Sequence, residues 1–377
     1  MRDQNGNGSG HARPAGVREV ALSWMRPGSI PLLAVLFGLI LGAILMASVG
    51  ANPLDAYGAM FEGALGGSDA LGRTLEKSTP LVMGGLAVAF AFKAGLFNIG
   101  GQGQLLLGAS FAAWAGFTFS MPAIIHIPFA ILVGGVAAAA LGGIVGWLKA
   151  YRGTHEVIST IMLNFVAANL TDWLASLTGP WGDPLETNPS RLARTPLIND
   201  SAEIPHVGGL PLGFLVAVVA AVVCWWLLER TTIGFEIRTV GANRHAAKYA
   251  GIKVARITII AMCISAFLAG VGGSIETLGV VGRFEPGFNA GLGFDGITIA
   301  LLARTNPLAV VPAALLLGAM DAGASLMQAR TPVEPDVVTV IQAIILFFVA
   351  APIVVRWIIR RRAGEDEALQ LTTGWGS

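Results

Sequence analysis

The sequence predicts an all-α membrane protein of about ten transmembrane helices. Three observations carry this. First, 54% of the 377 residues are hydrophobic and only 12% are charged, about half the charged share of a soluble domain. Charge that scarce cannot cover a water-facing surface of this size. Second, the apolar residues gather into ten runs, many near the ~20 residues that span a bilayer as a helix. Third, Lys and Arg concentrate on one side of those runs, as they do in cytoplasmic loops of membrane proteins. The 49 glycines show no collagen period; in an apolar chain they suit close helix packing.

Residues 1–28 are polar, Gly-rich and basic. The apolar run after them is too long for a signal-peptide core, and no small-x-small site ends it. They are therefore expected to form a retained cytoplasmic tail. The ten predicted spans are 30–50, 80–97, 105–119, 127–148, 157–177, 210–228, 257–280, 291–302, 308–328 and 337–359, making a membrane domain of 29–359. The second, third and eighth are short or interrupted. Residues 360–377 close the chain as a second cytoplasmic tail.

With the N-terminus inside and ten spans, only Arg73, Lys77, Arg191, Arg194, Arg283 and Arg330 of the 24 Lys and Arg fall outside. An odd number of spans would move Arg356, Arg360, Arg361 and Arg362 outside and spoil the bias. Both termini are thus expected in the cytoplasm. The outer loop 179–207 carries Pro180, Pro184, Pro189, Pro196 and Pro205, which predicts an extended cap. The inner loop 229–256 is basic, with an amphipathic helix expected around 243–249. Weak symmetry relates the halves: the second and seventh spans would run in opposite directions, as in inverted-repeat transporters.

Two constellations interrupt the apolar pattern. Residues 93–104 bring Asn98, Gln102 and Gln104 together with Gly95, Gly100, Gly101 and Gly103. Glycine weakens a helix by about 1 kcal/mol per residue relative to Ala. Freed backbone groups at membrane depth are tolerated only beside protein or a water-filled cavity. Such a break either lines a path for a neutral polar solute or is a tight turn between ordinary spans. In the inner loop, Gly241 and Asn243 form a turn and N-cap. Ala246, Ala247 and Ala250 then give the following helix a small-residue face. This helix suits a groove in a soluble partner or a bed of anionic lipid headgroups.

The string Phe92-Lys-Ala-Gly-Leu-Phe-Asn-Ile-Gly-Gly-Gln-Gly-Gln104 resembles the signature of membrane permeases in ABC importers for ribose, other simple sugars, nucleosides and branched-chain amino acids. The segments 232–251, 154–164 and 291–302 resemble further recurring parts of the same family, in the same order. The likeness runs from about Asn52 to Ile359 and is closest to the nucleoside or general-sugar branch. It implies a type II importer fold and a multi-subunit system in the bacterial inner membrane. An extracytoplasmic substrate-binding lipoprotein would deliver the solute, and a second permease chain would complete the path. ABC ATPase subunits would hold ATP and Mg, with no cofactor on this chain. By position, the resemblance implies that Asn98, Gly100, Gln102 and Gln104 line the path. It likewise implies that Arg238, Gly241, Asn243, Ala246, Ala247 and Gly251 meet the ATPase. Gly101 stands where Ala is frequent, and Gln102 where Glu is common.

Phe97 and Phe294 read as packing residues, although an aromatic beside a pathway amide could stack on a nucleobase. Glu156 and Asn164 lie two turns apart on one helix face, and Asn164 joins the pathway candidates. Asp295 and Asp321 interrupt later spans, where ionisable groups face cavities or pair; Asp295 is a further pathway candidate. Glu156, Glu276, Arg283 and Glu285 read as interfacial.

Other classes find little support. The sequence contains no G-x-x-x-x-G-K-[ST] phosphate loop. Cys224 and Cys263 sit in apolar stretches, which suits neither a disulfide framework nor a metal site. The five histidines are scattered, and a net charge of +1 does not suggest nucleic acid. An ion-gradient transporter would need Asp295 or Asp321 as its ion site.

Overall fold

The protein is described by a computed structural model covering residues 29–184, 188, 191–288 and 291–350. Each of the ten predicted runs coincides with a helix there. The helices are α1 (Ser29–Ser48), α2 (Pro53–Leu65), α3 (Ser68–Lys93), α4 (Gly101–Thr118), α5 (Ala123–Trp147), α6 (Glu156–Leu174), α7 (Leu212–Arg230), α8 (Thr232–Ala242), α9 (Arg244–Tyr249), α10 (Val254–Glu276), α11 (Leu292–Leu302), α12 (Pro307–Arg330) and α13 (Asp336–Ala350). Among the described residues, six helical stretches are long and apolar enough to cross a membrane. The two predicted tails, and the end of the tenth predicted span at 351–359, lie outside the described residues.

Helix α3 begins at Ser68 rather than at the predicted residue 80. Its first two and a half turns carry Asp69, Arg73, Glu76 and Lys77, so they are helix without being apolar. Pro80 sits inside the helix and is buried. A proline there removes one ladder bond, which neighbouring helices and hydroxyls make tolerable at membrane depth. Ser78 Oγ donates to the Thr74 carbonyl at 2.6 Å, and Thr79 Oγ1 donates to that of Leu75 at 2.7 Å. Helix α2 has no predicted counterpart. Asn52 caps it by accepting from Leu54 N at 3.1 Å, and Pro53 occupies its first turn.

Helices α3 and α10 form the centre of the molecule. Every residue from Ser78 to Ala91 of α3 is buried, and α10 is buried continuously from Leu268 to Glu276. Around them stand α4, α5, α7, α11 and α12. Outer helices instead turn large apolar side chains outward. Leu32, Leu36 and Ile44 of α1 are exposed, as are Ile158, Met162 and Phe165 of α6 and Leu215, Val219 and Trp226 of α7. Patches of that extent are unstable in water and suit hydrocarbon.

Lipid supplies no hydrophobic force between helices, so association depends on close packing of small residues. One of the tightest points joins α4, α5 and α10. A Cβ on Gly108 would overlap the Gly270 carbonyl, and one on Gly134 would overlap the Gly108 carbonyl. Ser274 Oγ, buried at the same point, donates to Gly270 O at 2.8 Å and Gly108 O at 3.2 Å.

Two helices end alike. A π-helical turn follows α5 at Leu148–Arg152 and another follows α10 at Thr277–Val281. The described part of the loop 179–207 is irregular rather than helical, with turns near 179–181, a short 3₁₀ turn at Asp200–Ala202 and a two-residue strand at His206–Val207. It bonds across the ends of neighbouring helices. Thr195 N donates to Phe284 O at 2.9 Å, Asn199 N to Gly116 O at 3.0 Å and Ile204 N to Leu278 O at 2.9 Å. A small antiparallel pair, His206–Val207 with Leu210–Pro211, leads into α7.

Replacing Gly108 by Val should destabilise the helix core by about 1–3 kcal/mol, the usual effect of overpacking. The expected outcome is a lower thermal midpoint for the detergent-purified chain, while Ala109→Gly, one residue on, causes a smaller loss. Equal midpoints for Gly108→Val and wild type would contradict the packing described.

Candidate functional site

The break between α3 and α4 runs from Ala94 to Gly100. Gly95 turns the chain at φ 68°, a left-handed conformation that glycine adopts without steric cost. Leu96 N then donates back to Ala91 O at 3.0 Å and closes the helix end. The next residues lack a helical ladder, and amide side chains take its place.

Asn98 is 0% exposed. Its Nδ2 donates to Gln104 Oε1 and to Ser265 Oγ, both at 2.8 Å. Its Oδ1 accepts from Gly100 N at 2.9 Å and from Gln104 Nε2 at 3.1 Å. That engages both donors and both lone pairs of the amide. Ser265 Oγ in turn donates to the Ala87 carbonyl of α3 at 2.6 Å. A second amide arrives from α6: Asn164 Nδ2 donates to Ile99 O at 3.0 Å, and its Oδ1 accepts from Gly103 N at 2.8 Å. A third joins α4 to α11. Gln102 Oε1 accepts from Gly291 N at 3.2 Å and Gly293 N at 2.9 Å. It thereby satisfies donors that a helix N-terminus leaves without intrahelical partners.

The site residues thus divide by exposure. Asn98, Gly100, Gln104 and Asn164 are buried, whereas Phe97, Gln102 and Asp295 are half-buried. The ring of Phe97 meets that of Phe92 edge-on, with centroids 4.9 Å apart. Phe294 is exposed at the N-terminal end of α11. Asp321 accepts from Gln342 Nε2 at 2.7 Å. Near the helix ends, Glu156 pairs with Lys149 at 2.7 Å and Arg283 with Glu285 at 3.0 Å, while Glu276 is buried. Sequence reasoning misses Ser265, a lone hydroxyl in an apolar run whose only distinction is its partner 167 residues away.

The loop 229–256 is mostly helical. Thr231 caps α8, accepting from Gly234 N at 3.1 Å. Asn243 caps α9, accepting from Ala246 N at 3.0 Å, as expected of the N-cap, whereas Gly241 lies within α8 rather than in the turn expected there. Gly251, at φ 82°, ends α9, and Ile252 N donates across it to Ala247 O at 3.0 Å, a common glycine-terminated helix end. The small-residue face divides. Ala246 and Ala250 are exposed, but Ala247 is 0% exposed and packs inward. Arg238 donates to Glu229 Oε2 at 2.7 Å.

This loop touches the break directly. A Cβ on Gly241 would overlap the Lys93 carbonyl oxygen, and one on Gly95 would lie 3.1 Å from the Gly241 Cα. The α-carbons of loop and break therefore meet with no side chain between them.

A body of apolar helices, with six stretches among the described residues long and apolar enough to cross a membrane, defines a multi-pass membrane protein. Residues 70–350 match the family described as the branched-chain amino acid transport system permease component, and the chain belongs to that family. It is 40% identical over 336 residues to the guanosine ABC transporter permease protein NupP of Bacillus subtilis, covering 88% of this chain and 95% of that one. It is 34% identical to the nucleoside ABC transporter permease protein NupB of Lactococcus lactis, covering 86% and 91%. It is 35% identical to the glucose ABC transporter permease protein TsgB13 of Haloferax volcanii, covering 88% and 89%. The chain is thus a permease subunit of an ABC transporter and not itself the ATPase.

Gln102→Leu should leave the Gly291 and Gly293 amides without an acceptor, at about 1–3 kcal/mol for each buried group. Gln102→Glu keeps both acceptor lone pairs and adds a charge that favours a helix N-terminus. Thermal unfolding of both variants should separate them clearly, with the Leu variant less stable and the Glu variant close to wild type. Asn98→Leu should be at least as damaging, because it orphans Gly100 N and strips partners from Gln104 and Ser265.

Proposed function

We propose that this chain forms the translocation path of an ATP-driven importer for nucleosides. The observation that carries the reading is the contact between the amide-braced break and the inner loop at Gly95 and Gly241. A loop pushed from one side of the membrane acts directly on the one irregular stretch between α3 and α4. The near-full-length likeness to guanosine and nucleoside permeases supports the solute class. The glucose permease among the relatives supports a second reading, a simple sugar. Both solutes carry a sugar ring whose hydroxyls suit neutral amide partners.

In this reading the ten apolar helices are ten crossings, with α3 and α10 as oppositely directed counterparts. Both termini and the α8–α9 loop are cytoplasmic in a bacterial inner membrane, as the Lys/Arg bias favours. Asn98, Gly100, Gln104 and Asn164 hold the break in shape. Phe97, Gln102 and Asp295, which keep accessible surface, border the solute, and Phe97 offers a ring to a nucleobase. Arg238, Gly241, Asn243, Ala246, Ala247 and Gly251 build the face that receives the ATPase. Ala246 supplies contact there, while Ala247 anchors α9 from beneath. ATP and Mg are held by the ATPase subunits, a binding lipoprotein delivers the solute, and a second permease chain faces this one across the path.

Ala246→Asp places a charge on the exposed side of α9 without disturbing its interior. Proteoliposomes holding the assembled complex should lose ATP-dependent guanosine uptake at least about tenfold, equivalent to ~1.4 kcal/mol of coupling, while assembly is unchanged. Uptake that runs on a proton gradient with no ATPase present would overturn the reading.

A further inference from the structure

A cavity of about 390 Å³ lies between the π-helical turn after α5, helix α9 and the start of α10. That volume falls within the roughly 300–1,000 Å³ of small-molecule sites. Four cations line it: Lys149, Arg244, Lys248 and Lys253. Lys149 is held by Glu156. Among the described residues no carboxylate stands within ion-pairing distance of Arg244, Lys248 or Lys253. Three cations that line one pocket and have no carboxylate partner there leave positive charge that an external anion can neutralise.

The surroundings place the cavity at headgroup depth. Trp147 and Tyr151, exposed at the end of the same helix, have ring centroids 6.2 Å apart. Arg152 lies over the Trp147 ring at 5.9 Å. On α7, Arg230 lies over Trp225 at 6.0 Å. Aromatic rings paired with basic residues at the ends of apolar helices mark the membrane–water interface. Tyr249, at the C-terminal end of α9, is 95% exposed beside this level.

We propose that this cavity is a phosphate-binding site that takes the headgroup of an anionic phospholipid, with Arg244, Lys248 and Lys253 as its ligands. Arginine matches phosphate geometry through its planar fork, and lysine contributes compact point charge. Basic pockets among helices on the cytoplasmic side are suited to lipid headgroups. Because Arg244 and Lys248 belong to α9, an occupied site would fix the helix that meets the ATPase to the end of α5. The lipid source rests on the orientation proposed above; the phosphate chemistry does not.

The test uses the full-length chain, delipidated in neutral detergent and titrated in native mass spectrometry with phosphatidylglycerol and with phosphatidylcholine. A parallel titration follows thermal stability with soluble glycerol phosphate. Wild type should retain phosphatidylglycerol about tenfold better than phosphatidylcholine. A Lys248→Gln, Lys253→Gln variant should lose that preference, and Lys248→Arg, Lys253→Arg should restore it. Stabilisation by glycerol phosphate that is lost in the Gln variant, with no headgroup preference, would assign the phosphate to a soluble source and keep the site. Equal binding by wild type and the Gln variant, or none of either ligand, would overturn the proposal. Binding in detergent has no sidedness. Its failure would therefore leave ATP-driven uptake untouched, and failed uptake would leave this result standing.

Discussion

The backbones of α4, α5 and α10 meet where Gly108, Gly134 and Gly270 leave no room for a side chain, and the rest of the structure depends on that approach. Surrounded by acyl chains, two helices gain nothing by hiding apolar surface from each other. What they gain is dispersion over short distances and hydrogen bonds that require them. Ser274 can reach the Gly108 carbonyl on another helix only because no Cβ intervenes. Four residues along from the same contact, Gln104 is held against Asn98, and Asn98 against Ser265 on α10. Widening the helix spacing by a methyl group would loosen the polar cluster together with the apolar one.

That cluster resolves a conflict between chemistry and environment. A chain that stops being helical inside a bilayer exposes N–H and C=O groups that lipid cannot satisfy. Here two amides from different segments supply partners at the break, and a third supplies them to the start of α11. Asn98 closes the break upon itself, Asn164 reaches in from α6, and Gln102 reaches out to α11. Each is neutral, so the site carries polarity without the cost of a buried ion. The arrangement lets irregular backbone persist at depth and keeps it defined.

The helical body was largely legible in the sequence because apolar run length is a local signal. The misses have local causes too. Helix α2 is short and mixed in polarity, so its Asn52 cap and Pro53 start stood without an apolar run behind them. Helix α8 was hidden within a basic loop. The start of α3 was misplaced because hydropathy reports apolar residues, and the first turns of this helix carry Asp69, Arg73, Glu76 and Lys77. Within the site, the amide-rich break and the Asn243 cap could be seen, since composition alone marks them. Which amides turn inward could not, because Asn98 finds Ser265 across 167 residues. Nor does an Ala-Ala pair reveal that Ala247 is the one that packs beneath α9.

The meeting of Gly95 with Gly241 also has a mechanical meaning. A long side chain placed between two moving parts acts as a soft spring, because a rotamer change absorbs the push before anything beyond it moves. Two α-carbons in contact have no rotamers. A displacement of the inner loop would reach the Lys93 end of α3 with almost no lost travel, like a gear cut without backlash. The same closeness ties the two positions together: a Cβ on Gly241 would overlap the Lys93 carbonyl, and one on Gly95 would crowd Gly241 in a strained left-handed backbone, so a side chain at either would shift the loop against the break.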